Sequence, residues 1–79
     1  MAAAGKTAPR LGIDLGATNV RLALVDGAGS ILASRTCRLS GRSPDEVACQ
    51  LLQEASKVTE HAGLGLRNVG SVGIGLAAQ

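Results

Sequence analysis

Asp14, Gly16 and Thr18, near the start of this 79-residue chain, have the types and the spacing to hold a charged ligand. They lie in LGIDLGATNVRLALVD, Leu11 to Asp26, where the small-residue turn Gly16-Ala17-Thr18 separates two patterned apolar runs. Glycine at position 16 leaves the backbone bare, so an anion can approach without meeting a side chain. Successive amide N–H groups in such a turn can converge on an anion, and the Thr18 hydroxyl adds a donor. A lone carboxylate beside a phosphate would repel it, so the fitting partner for Asp14 is a hydrated magnesium ion. The chemistry indicated is half of a nucleotide-phosphate site. The competing account is an ordinary hairpin in which Asp14 and Thr18 merely form the turn.

The elements that must hold this turn follow from periodicity. Leu11, Ile13 and Leu15 alternate with Gly12, Asp14 and Gly16, and Val20, Leu22 and Leu24 alternate with Arg21, Ala23 and Val25. A period of two predicts strands over about 10–16 and 19–26. Asp26-Gly27-Ala28-Gly29 signals a turn, Asp-Gly favouring positive backbone angles and a short hairpin. A third strand is expected over about 30–38, where Arg35 and Arg38 mark a solvated edge.

The period then changes. Ser43-Pro44-Asp45-Glu46 offers a cap, a proline at the first helical position and a capping box, predicting a helix over about 44–62. Val47, Leu51, Ala55, Val58 and Ala62 form its apolar stripe, widened by Ala48 and Leu52, with Gln50, Gln53, Glu54, Lys57 and Glu60 opposite. Gly63 is the stop, and His61 in the last turn is assigned to the helix dipole or solvent rather than to a metal. Val69 to Ala78 is apolar on both faces, which predicts an interior strand over about 69–76 covered on both sides. Strand, helix, strand implies a right-handed crossover laying this last strand parallel to the first and beside it. The expected fold class is α/β: a three-strand antiparallel meander, one crossover helix and a fourth strand parallel to the first. Residues 1–10 are expected to form a flexible arm, and 11–79 an incomplete phosphate-binding subdomain.

Composition sets limits. A chain of this size buries only about 60% of its unfolded surface, and it has no Phe, Tyr or Trp to add buried area. The core must come from Leu, Ile and Val. The net charge of +2 is spread along the chain, without a basic run or an aromatic to stack on a base, so nucleic acid binding is unsupported. Cys37 and Cys49 fit no zinc-ligand spacing and read as reduced thiols of a cytoplasmic protein. Neither a signal peptide nor a membrane span is recognisable. Gly5-Lys6-Thr7 lacks the earlier glycine that a P-loop needs.

The stretch GIDLGATNVRLALVDGAGSIL resembles the first phosphate loop of the sugar-kinase, heat-shock chaperone and actin superfamily, whose fold is ribonuclease H-like. It is most similar to glucokinases and the ROK (repressor, open reading frame, kinase) family. The short hairpin, the capped helix and VGSVGIGLAA are similar in order to that family's first four strands and first helix. The resemblance implies ATP and Mg²⁺ as cofactors, with Gly12, Asp14, Leu15, Gly16, Ala17, Thr18 and Asn19 bordering ATP and Asp14 near the magnesium. Asn19 and Arg21 match a variant common in glucokinases. It further implies the amino-terminal part of an ATP-dependent hexokinase-type kinase acting on the 6-hydroxyl of glucose or a related hexose, with a homodimer as one form of the parent.

Two positions depart from the family pattern. Ala17 stands where a second glycine is usual, and Ala77-Ala78 where Pro-Gly is often found after the fourth strand. The family's catalytic aspartate, sugar-binding residues, second phosphate loop, adenosine pocket and cysteine-rich zinc motif lie beyond residue 79. Phosphoryl transfer depends on several positioned parts at once, so the chain as given is expected to be inactive. A ROK-type regulator would carry a helix-turn-helix before the first strand, and only ten residues precede Leu11. Another ATPase of the superfamily is a further alternative, which the short hairpin fits less well. Gly73-Ile74-Gly75-Leu76-Ala77-Ala78 fits a GxGxxA dinucleotide fingerprint, but such a fingerprint must open a helix.

Overall fold

The computed structural model describes residues 8–76. The two alternating runs form strands β1 (Arg10–Leu15) and β2 (Asn19–Val25), paired antiparallel with Leu11 opposite Leu24, Ile13 opposite Leu22 and Asp14 opposite Arg21. Alternation decides which side of the sheet each residue takes. Leu11, Ile13, Val20, Leu22 and Leu24 are buried, whereas Gly12, Asp14 and Arg21 are exposed.

Strand β3 (Ile31–Arg38) continues the meander beside β2. The loop before it is not a two-residue Asp-Gly hairpin. The Asp26 carboxylate accepts the N–H groups of Ala28 and Ser30, both at 2.9 Å, and the positive backbone angle falls at Gly29 (φ 90°) rather than Gly27. A longer loop wrapped around an aspartate replaces the tighter turn.

Helix α1 (Pro44–His61) begins with the expected capping box. Ser43 Oγ accepts the Glu46 N–H at 3.2 Å, and Glu46 Oε1 accepts those of Arg42 and Ser43 at 2.8 and 3.1 Å. The Arg42 and Ser43 backbone donors hold the Glu46 carboxyl below its usual range. Gly63, at φ 79°, ends the helix and donates to Glu60 O at 2.9 Å. A short 3₁₀ turn (Leu66–Asn68) leads to β4 (Ser71–Leu76), parallel to β1 with Ile74 beside Ile13. The four-strand mixed sheet has the order β3-β2-β1-β4, as expected. No described helix is long and apolar enough to cross a membrane.

Three expectations need correction. The last strand is not an interior one covered on both sides. Its place beside β1 with no described strand on its outer side is as expected, but it begins at Ser71 and is exposed at all six residues. The reason is coverage: α1 packs on β2 and β3, and no described element lies over β4. Secondly, Glu54 does not lie on the solvent side of the helix. It is buried, with Ala55, Val58 and Thr59, while Leu52 is 63% exposed. Thirdly, β3 is an edge strand, yet Arg35 lies on its helix-facing side, opposite Leu22, and pairs with Glu54. The second and third share a cause. A guanidinium within the covered face recruits a carboxylate, which rotates the buried stripe towards Glu54. Lys57 Nζ adds a second cation 3.6 Å from Glu54 Oε2.

The remaining polar groups between helix and sheet are satisfied. Thr59 Oγ1 donates within the helix to Ala55 O (3.0 Å) or Ser56 O (2.9 Å). Gln50 Nε2 donates to Arg38 O at 2.7 Å, and its Oε1 accepts the Ser40 N–H at 2.9 Å. Residues 1–7 and 77–79 lie outside the described residues, and with them Gly5-Lys6-Thr7 and the Ala77-Ala78 departure. Gly73 and Gly75 lie within β4 itself, so the GxGxxA match is strand rather than a phosphate turn.

Hydrogen bonding from Arg35 holds the Glu54 carboxyl below the usual carboxylate range, against the opposing effect of burial. A carboxyl depressed in the folded state stabilises above its unfolded pKa and loses that contribution as the pH falls through its folded value. Arg35 is 43% exposed, so solvent screens the pair and Glu54→Gln is expected to cost about 1 kcal/mol at pH 7. Urea melts of parent and variant should show this difference shrinking as the pH drops below about 4.

Candidate phosphate-binding turn

Residues 16–18 join β1 to β2 at the end of the sheet where Asp14 and Arg21 sit opposite each other. The Gly16 N–H closes the turn by donating to Asn19 O at 2.9 Å. A Cβ at position 16 would stand 3.3 Å from that same oxygen, and Gly16 has no positive φ. Glycine is therefore set here by the close approach of the two chain segments, not by a left-handed angle. Thr18 O accepts the Leu39 N–H at 2.8 Å, which ties the turn to the end of β3.

One of the expected amide donors is thus consumed internally. The N–H groups of Ala17 and Thr18 have no protein acceptor among the described residues, and both residues are exposed. With the Thr18 hydroxyl they leave three donors for an anion. They border a recess of about 280 Å³ lined by Asp14, Gly16, Ala17, Thr18, Asn19 and Arg21. Gly12 lies outside it, lining an adjoining depression of about 580 Å³ with Asp14, Arg21 and Gly73. Leu15 is half-buried and packs against the core, so its contribution is to anchor the turn.

Asp14 is exposed and forms no ion pair among the described residues, not even with Arg21. No described group of three or more His, Cys, Asp or Glu residues could hold a metal. A single free carboxylate suits hydrated Mg²⁺, which keeps most of its waters and shares the ligand's phosphate oxygens. It does not suit zinc. Burial pushes the Cys37 thiol up, with the Glu54 charge adding to the effect, and Cys49 is an exposed free cysteine.

Arg21 is absent from the set of site residues derived from sequence, although it lines both depressions. The signal was available. In a hairpin where Leu15 faces Val20, the residue opposite Asp14 must be Arg21. The recess therefore carries one guanidinium and one carboxylate, a balance suited to a phosphate accompanied by a cation.

A ROK hexokinase from Thermus thermophilus matches 89% of this chain with a TM-score of 0.76 at 23% identity. A Ppx/GppA family member from Aquifex aeolicus matches 86% with a TM-score of 0.54, also at 23% identity. The matches take in 23% and 25% of those proteins, so the chain spans about a quarter of their length. No family model matches the chain, and no curated protein does. Likeness at this identity shows the fold alone, a partial ribonuclease H-like fold.

The crowding at Asn19 O gives a direct test of the turn. Gly16→Ala is expected to lower stability by about 1 kcal/mol through overpacking, read as a lower urea midpoint with an unchanged slope.

Proposed function

We propose that the chain is the amino-terminal, phosphate-binding part of an ATP-dependent sugar kinase of the hexokinase type. The proposed substrate is glucose or a related hexose, phosphorylated at the 6-hydroxyl as by a glucokinase. The observation that carries this reading is the exposed turn at the end of β1, with two free amide donors and an unpaired Asp14 beside it. The likeness of the surrounding fold to a ROK hexokinase supports it.

In this reading Ala17 and Thr18 donate their N–H groups to the β- and γ-phosphate oxygens of ATP, and the Thr18 hydroxyl adds a third bond. Gly12, Leu15, Gly16 and Asn19 shape and anchor the cradle. Arg21 offsets phosphate charge from the β2 side. Asp14 orients a hydrated Mg²⁺, which when bound neutralises charge on the transferring group. The proton of the sugar hydroxyl must be taken by a carboxylate other than Asp14, which is committed to the cation. That base, the sugar site, the adenosine pocket and any zinc motif belong to a longer parent, which is cytoplasmic and homodimeric in this reading. The chain alone then binds phosphate weakly and transfers none.

Titration of isotopically labelled chain with Mg·ATP, followed by amide NMR, tests the site. Saturable shifts are expected at Ala17 and Thr18 in the millimolar range. Thr18→Val should weaken them about tenfold, the worth of one hydrogen bond to a charged group. Asp14→Asn should remove the Mg²⁺ dependence. An absence of shifts at the turn at about 10 mM nucleotide would overturn the reading, as would glucose phosphorylation by the chain alone in a coupled assay.

A further inference from the structure

The phosphate turn is tied to the rest of the chain through the Leu39 N–H, which donates to Thr18 O at 2.8 Å. Leu39 lies one residue past the last pair of the β2–β3 ladder, Asn19 opposite Arg38. Its place is fixed from the helix. Gln50, half-buried on α1, accepts the Ser40 N–H at 2.9 Å through Oε1 and donates from Nε2 to Arg38 O at 2.7 Å. One side chain thus grips the backbone before and after Leu39, and the N–H between the two grips is the one that reaches Thr18.

The next stretch of chain is held by the same helix. Glu46, one turn before Gln50, accepts the N–H groups of Arg42 and Ser43, and side chains four apart on a helix are neighbours. Gly41 sits between these attachments. A Cβ there would stand 2.6 Å from Glu46 Cβ and 2.9 Å from the Glu46 carbonyl carbon, and Gly41 has no positive φ. Close packing of this loop on the helix backbone therefore sets the glycine. The whole arrangement is made by residues 38–50 among themselves.

Thr18 is anchored from two directions. The Gly16 N–H closes the turn on Asn19 O at 2.9 Å, and Leu39 pins the Thr18 carbonyl. The Ala17 and Thr18 N–H groups lie between these anchors. Donors held in place before a ligand arrives lose less freedom when it binds, and positioning is most of what a protein contributes to phosphoryl transfer.

We propose that Gln50 is a positioning residue for the phosphate turn: through Leu39 it sets the orientation of Thr18, and with it the affinity of the turn for a nucleotide polyphosphate. The inference rests on the nucleotide reading above. Gln50 acts at one remove from the ligand, so its loss weakens binding without abolishing it.

Amide NMR titration of the labelled chain with Mg·ATP separates this role from simple support of the fold. Gln50→Ala, which preserves helix propensity, is expected to weaken the saturation read at Ala17 and Thr18 about fivefold, the worth of one neutral hydrogen bond. Without ligand, the Thr18 and Leu39 amide signals should already move while that of Leu22 stays. Gln50→Met keeps an unbranched stem, loses both bonds and should give the same result. Glu54→Gln is the control. It weakens the docking of α1 on β3 through Arg35, away from Leu39 and the turn, and should leave the affinity unchanged. A parent that binds while Gln50→Ala binds equally well overturns the positioning role and leaves the nucleotide reading standing. An equal loss in Glu54→Gln also overturns it, because the effect is then one of helix docking. A parent without saturable shifts overturns the nucleotide reading and this inference with it.

Discussion

The structure depends on β1 being held from both sides with one face sealed. Leu11 and Ile13 sit between Leu24 and Leu22 on one neighbour and Val72 and Ile74 on the other. In a strand the side-chain period is two, so slipping the pairing by one residue would turn the whole apolar set outward and bring Asp14 into the core. Burial of two aliphatic residues therefore fixes the direction of the carboxylate. The turn inherits its position from the same pairing, since Leu15 facing Val20 leaves only residues 16–19 to cross from one strand to the next.

The core that does this work is small and wholly without aromatics. Its buried aliphatic members are Leu11, Ile13, Val20, Leu22, Leu24, Ala33, Ala55 and Val58. The helix adds only one alanine and one valine to that set, and the remainder of its docking is polar. Arg35 and Glu54 form an ion pair within the covered layer, and Gln50 bonds backbone groups at the end of β3. Such contacts are directional, and losing one partner leaves the other desolvated and unsatisfied. They specify how the helix sits more than they add to its adhesion.

Much of this was legible in the chain. Alternation at 11–16 and 20–25, the Ser43 to Glu46 capping box and the Gly63 stop marked the first two strands and the helix in their observed order, while the 3₁₀ turn at Leu66–Asn68 went unread. Those signals are local, and local geometry is enough to realise them. The misreadings came from non-local facts. Glu54 looks solvent-facing in a helical projection, because a projection of one helix does not show that Arg35 waits on the strand beneath. The run after Val69 looks interior because its residues are apolar, but apolarity describes what a segment would bury, not whether anything covers it. In the turn, the presence of Gly16 was readable while its reason was not. Only the 3.3 Å approach to Asn19 O separates a bare approach for a ligand from close packing of the chain on itself. The pairing of Asp14 with Arg21 was deducible from hairpin symmetry.

The Gln50 amide has a consequence for how the molecule loosens. With its N–H on Arg38 O and its oxygen on the Ser40 N–H, it bonds the chain on either side of Leu39 much as one peptide unit of a parallel strand would. The far end of β3 is thereby stitched to the middle of α1, and fraying of the segment between them costs both of these bonds. β4 has no comparable stitch. The Ser40 amide proton is held by an acceptor carried on the helix rather than by a neighbouring strand.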